Sequence, residues 1–140
     1  MSVPMRIVIP SVAVLTWLVG CDPRFVAPEG ARILLSASPA SVVANHDSAV
    51  VSFVIQLETG DLIPYDAEVS VSASVGGLCK GSFGDIRCEG DSALGLPAIQ
   101  LRTRKSAGFL VFRSGTDTGS AVIRARSGDA VDSIVVRVVP

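Results

Sequence analysis

Residues 68–75 read EVSVSASV. Val69, Val71, Ala73 and Val75 alternate with Glu68, Ser70, Ser72 and Ser74. Successive side chains of a strand point to opposite faces, so this segment predicts a strand with one face buried and the other in water. The same period recurs on both sides of it. Ile33, Leu35 and Ala37 share a face opposite Arg32, Leu34 and Ser36. Val51, Phe53, Ile55 and Leu57 form another. Ile99 and Leu101 mark a short strand. The run AGFLVFR, residues 107–113, is apolar on both faces and predicts a buried strand in which Phe109 and Phe112 serve the core. Ala121, Ile123 and Ala125 alternate with Val122, Arg124 and Arg126, and Ile134, Val136 and Val138 alternate with Ser133, Val135 and Arg137. Turn residues separate these runs at Thr59-Gly60-Asp61, Ser114-Gly115-Thr116-Asp117 and Ser127-Gly128-Asp129. About seven short strands with no helical period among them predict an all-β fold, an antiparallel β-sandwich.

Composition agrees. Of 140 residues, 49% are apolar and 18% charged, enough to build a packed core rather than a disordered chain. The formal net charge of −1 provides no electrostatic footprint for nucleic acid. Aromatics make up only 5%, which argues against an aromatic-lined ligand pocket.

The first twenty residues stand apart. Arg6 is followed by an uncharged apolar run, Ile7 to Gly20, and then by Cys21, Asp22 and Pro23. The run falls short of the roughly 20 apolar residues of a membrane span, and it contains Pro10. A charged start, a short apolar middle and a small residue at the end predict a secretory signal peptide. Leu18-Val19-Gly20-Cys21 resembles the lipobox of bacterial lipoproteins. That resemblance implies a diacylglycerol on the Cys21 thiol and cleavage just before it. An ordinary signal peptide with Cys21 left to pair, or a core strand with Cys21 buried in it, is the alternative. More than one acyl chain holds a protein to a membrane stably, where a single chain binds only marginally. Asp22 resembles the residue that retains such proteins in the inner membrane of enteric-type bacteria, a rule that differs between phyla. The expected organisation is therefore a signal peptide over 1–20, a lipid-anchored linker over 21–30 and a β-sandwich over 31–140. The linker reading rests on two prolines and a glycine in CDPRFVAPEG.

With Cys21 lipidated, Cys79 and Cys88 remain as an even pair in an oxidising compartment. CKGSFGDIRC carries eight residues between the thiols, Gly81 and Gly84 among them, and predicts a disulfide. Free thiols are one alternative. A metal site is another, and two thiols with the single His46 make an incomplete set for it.

Residues 31–140 resemble the bacterial immunoglobulin-like domains of the invasin and intimin type. ILLSASPASVVANHDSAVVSFVIQ resembles their first two strands, with Asn45, His46 and Asp47 in the joining turn. GDLIPYDAEVSVSAS resembles the next turn and strand, and KSAGFLVFRSGTDTGSAVIRARSGDAVDSIVVRVV the closing half. The resemblance implies a sandwich that acts as a stalk or adhesive module and carries no catalytic residue over. Residues 76–97, with the cysteine pair and an acidic, glycine-rich stretch, depart from the pattern and are the expected variable loop and candidate binding surface.

Other chemistry has plainer readings. His46, Asp47 and Ser48 are consecutive in one turn and cannot easily hold a nucleophilic triad. Asp85, Glu89 and Asp91 lack the alternating oxygen ligands of a calcium loop and read as a solvated loop. Arg102, Arg104 and Lys105 read as a charged strand end. No catalytic residue, cofactor or metal is expected. The expected function is a non-enzymatic, lipid-anchored envelope protein. Its partners would be membrane lipid through acylated Cys21 and a protein or carbohydrate, with no nucleic acid. The alternative is a small periplasmic accessory or inhibitor protein, or an enzyme on the same scaffold.

Overall fold

The computed structural model describes residues 25–82, 85–87 and 95–140, and their fold is all-β. Ten strands are present among them: β1 Arg32–Ser38, β2 Ser41–Val43, β3 Ser48–Gln56, β4 Glu68–Ala73, β5 Gly77–Ser82, β6 Asp85–Arg87, β7 Ala98–Arg102, β8 Ala107–Arg113, β9 Gly119–Ser127 and β10 Ala130–Val139. They form two five-stranded sheets. Sheet one runs β1-β3-β8-β5-β6 and sheet two runs β2-β10-β9-β4-β7.

The alternating patterns sort onto the two layers as their periods require. Ile33, Val51, Phe53, Ile55, Leu110 and Phe112 of sheet one meet Val69, Val71, Ile99, Ile123, Val136 and Val138 of sheet two in one core. Their serine and arginine neighbours face outward, the hydrophobic-in, polar-out arrangement of a sandwich. Chain direction is antiparallel throughout except where β2 joins β10 in parallel. That exception has a local origin. The chain leaves sheet one after Ser38 and enters sheet two at Ser41, and Pro39 between them has no N–H with which to continue the first ladder.

Three features differ from the sequence expectation. Ten strands replace about seven, because β2 and β6 are only three residues long and too short to show a period. The segment 76–97 is not simply a loop. Its residues 77–82 form β5, paired with β8 from Gly77↔Arg113 to Lys80↔Leu110, with Leu78 and Cys79 buried. The sequence GLCKGS hides this strand because glycines stand where packing residues would mark the pattern. The third concerns residues 25–30, expected as linker, which are docked on the sandwich. The Glu68 N–H donates to the Phe25 carbonyl (2.8 Å). The Ala27 N–H donates to Ser127 Oγ (2.8 Å). Tyr65 Oη donates to the Val26 carbonyl (2.8 Å).

The strand ends define two poles. One collects the start of β1, the end of β3, the start of β4, the end of β9 and the docked residues 25–28. The other collects the β2–β3 turn, the end of β8 and the end of β10.

Candidate functional site

Of the residues singled out by sequence, Cys21, Asp22, Cys88, Glu89 and Asp91 lie outside the described residues, as do residues 1–20. Cys79 sits on β5, 1% exposed, and is not a free thiol. Asp85 opens β6, and its backbone pairs with Ser82. Among the described residues no group of three His, Cys, Asp or Glu side chains could hold a metal ion.

The His46 turn is structural. Asn45 and His46 have φ of 74° and 72°, the left-handed conformation that reverses the chain between β2 and β3. Asp47 fixes the turn: its carboxylate accepts from the N–H groups of Val43 (3.0 Å) and Ser48 (2.9 Å). Those two bonds lower its pKa from the usual 3.8. Ser114 completes the turn from the end of β8. Its Oγ donates to the Val43 carbonyl (2.6 Å) and accepts from the Asp47 N–H (3.0 Å). His46, Asp47 and Ser48 therefore assemble no triad; the carboxylate is committed to backbone amides.

The basic run divides. Lys105 turns the chain with φ of 60°, and its N–H donates to the Asp66 carboxylate. Thr103, buried, accepts from the Ala67 N–H (2.8 Å) and donates to the Lys105 carbonyl, locking the β7–β8 connection to the start of β4. Arg102 instead ends β7 on the outer face of sheet two, opposite Glu68.

Phe112 is core, as expected, at 0% exposure. Phe109 faces the other way, half-buried on the outer face of sheet one, where its partner position on β3 is Ser52.

The outer face of sheet two carries a row of exposed polar groups. The registers place Val131, Arg126, Ser70 and Gln100 in one row across β10, β9, β4 and β7, and Ser133, Arg124, Ser72 and Ala98 in the next. Ser70, Ser72, Ala98, Gln100, Arg124 and Arg126 line a shallow, open hollow of about 500 Å³. Each of these six is exposed. Sequence reading assigned Arg124 and Arg126 to the solvent side of their strand without singling them out. Nothing in the local sequence shows that β4 and β7 bring serines and a glutamine beside them. Only strand register does.

No family model matches the chain, and no curated protein matches it. The fold is similar to parts of several solved structures. A glycosyl hydrolase family 2 member from Bacteroides cellulosilyticus is 20% identical with a TM-score of 0.59, over 81% of this chain and 15% of that one. A beta-glycosidase from Bacteroides vulgatus is 16% identical with a TM-score of 0.58, over 79% of this chain and 14% of that one. The adhesin InvE of Yersinia pseudotuberculosis is 16% identical with a TM-score of 0.54, over 77% of this chain and 26% of that one. The chain thus matches one domain-sized piece of much longer proteins. At these identities the likeness shows the β-sandwich fold alone.

Proposed function

We propose that this chain is a lipid-anchored protein of the bacterial cell envelope whose single immunoglobulin-like sandwich acts as a binding or spacer module and catalyses no reaction. The observation that supports it most is the pairing of two features in one chain. A lipobox-like Leu18-Val19-Gly20-Cys21 closes an apolar leader, and a sandwich whose fold resembles part of a bacterial adhesin begins a few residues later. The polar groups inside the sandwich favour a structural reading. The buried hydroxyls of Thr103, Ser114 and Ser127 are each bonded to backbone, which leaves them tied to architecture.

Cys79 and Cys88 pair in this reading. Lys80 lies opposite Arg87 in the β5–β6 hairpin, and the two cysteines are the residues flanking that pair in sequence. A link of this span stabilises by on the order of 2–3 kcal/mol in the chain-entropy treatment.

Mass spectrometry of the protein purified from native membranes tests the anchor. The expected amino-terminal peptide starts at Cys21 and carries acyl mass; an unmodified chain starting at Met1 overturns the anchor. Non-reducing proteolysis tests the pairing. It should yield Cys79 and Cys88 in one linked peptide, and alkylation of both thiols without reductant would remove the disulfide.

A further inference from the structure

We propose that the outer face of sheet two binds an acidic glycan, a polysaccharide chain carrying carboxylates, through Arg124 and Arg126. Arg102, Arg124, Arg126 and Arg137 all project from this face, and Glu68 is its only carboxylate among the described residues. A chain of net charge −1 has therefore gathered cations on one surface. A solvated sheet face ordinarily places opposite charges across neighbouring strands, because like charges side by side repel. Here the cross-strand neighbours of Arg124 are Ser133 and Ser72, and those of Arg126 are Val131 and Ser70. Neither guanidinium makes an ion pair among the described residues. Two positions apart on one strand, they are separated by about 7 Å along it.

The chemistry of the face selects the occupant. A guanidinium presents a planar fork of donors that matches a carboxylate with two parallel hydrogen bonds. Ser70, Ser72, Ser133 and Gln100 supply hydroxyl and amide groups able to exchange hydrogen bonds with sugar hydroxyls. The hollow is open and shallow, which suits an extended chain lying across strands better than an enclosed small molecule. It offers no deep apolar pocket of the kind that gives a peptide's side chains their specificity. The face runs along the side of the sandwich, whereas residues 25–28 lead toward Cys21 from one pole. With the anchor at that pole, this side face looks along the lipid plane into the material around the protein, and Arg126, next to Ser127, is nearer the anchored end than Arg124. The glycan assignment rests in this respect on the envelope reading.

The test uses the full chain in detergent and polygalacturonate as probe, with dextran, poly-glutamate and phosphatidylglycerol vesicles as comparators. Polygalacturonate should bind, weaken as salt rises, and lose at least about tenfold in affinity in the Arg124→Ser/Arg126→Ser double variant. The Arg124→Lys/Arg126→Lys variant keeps the charge and should recover only part of the loss. Unchanged thermal unfolding of the variants confirms that the sandwich is intact. The proposal is overturned if the double variant binds polygalacturonate like the native chain. It is equally overturned if poly-glutamate or the vesicles bind as tightly as polygalacturonate, since the face is then a general polyanion surface. Neither result moves the mass of the amino-terminal peptide, so failure here is distinguishable from failure of the lipid anchor.

Discussion

Ser114 has 0% exposure, and its single oxygen serves the end of β2 and the β2–β3 turn at once. It donates to Val43 and accepts from Asp47, 71 and 67 residues away. Ser114→Ala would leave a part-buried carbonyl and amide without that partner, at a cost of about 1–2 kcal/mol in unfolding free energy measured by denaturant titration. Ser36 offers the contrast. Its hydroxyl meets Ser52 Oγ at 3.0 Å in the open, and Ser36→Ala should change stability by less than about 0.5 kcal/mol. Asp47 gives this turn a pH dependence. Its pKa is lowered in the folded state because the Val43 and Ser48 amides favour the carboxylate. The stabilisation is therefore present above the usual 3.8 and lost as pH falls through the lower folded value. The stability difference between the native chain and Asp47→Asn should hold steady at neutral pH and shrink in that acid window. A difference that grows on acidification would reverse the assignment. Of this site the sequence displays only half. Asn45, His46 and Asp47 are recognisable turn residues, and Ser114 reads only as the start of a separate turn, Ser114-Gly115-Thr116-Asp117. Its role exists only once β8 lies against β3.

At the scale of elements, β8 carries the most. It stands in the middle of sheet one between β3 and β5, and its Leu110 and Phe112 face the core. Phe112→Ala should cost about 3–5 kcal/mol, the range for emptying a large buried aromatic site. Val50→Ala on neighbouring β3, where the side chain is 46% exposed, should cost under about 1 kcal/mol. Equal losses at the two positions would contradict the sidedness of the sheet. Gly108 on the same strand shows why the core tolerates a residue with no side chain. A Cβ there would stand 2.7 Å from the Phe53 ring, which lies across the glycine from the paired strand. The sequence makes β8 legible because AGFLVFR is apolar on both faces up to Arg113. The alternating strands β1, β3, β4, β9 and β10 are legible for the same reason: one face is water and the other is core, and the period records the difference. β5 escapes this logic. Only Leu78 and Cys79 bring apolar side chains to it, too few to show a period, so Gly77, Gly81 and Ser82 read as loop.

At the scale of the molecule, the poles acquire a consequence from the docked residues 25–28. Phe25 packs on Tyr65 with ring centroids 6.1 Å apart, and Ala27 is held by Ser127. The alternating strands predicted two layers but not this seam, because Phe25-Val26-Ala27-Pro28 has no period and its partners lie near residues 65–68 and 127–128. Phe25 is four residues after Cys21, a reach of on the order of 14 Å when fully extended. If Cys21 carries the acyl chains, the Phe25–Tyr65 pole is thus held close to the lipid surface. The His46 pole stands farther off by roughly the length of a nine-residue strand, about 30 Å. Phe25 is 57% exposed, and an aromatic side chain suits the boundary between water and lipid. Hydroxyl-radical footprinting of the full chain in liposomes reads this geometry. Phe25 and Tyr65 should be protected relative to the Cys21→Ser variant in solution, while His46 should be oxidised to the same extent in both. Protection of His46 with Phe25 left open would invert the orientation. Equal oxidation of both poles would mean a tether longer than these contacts allow. The Ala27 N–H to Ser127 Oγ bond is one of three that shorten the tether, beside those from Glu68 to the Phe25 carbonyl and from Tyr65 to the Val26 carbonyl. Ser127→Ala should loosen the seam and raise Phe25 oxidation toward the level seen in the unanchored chain.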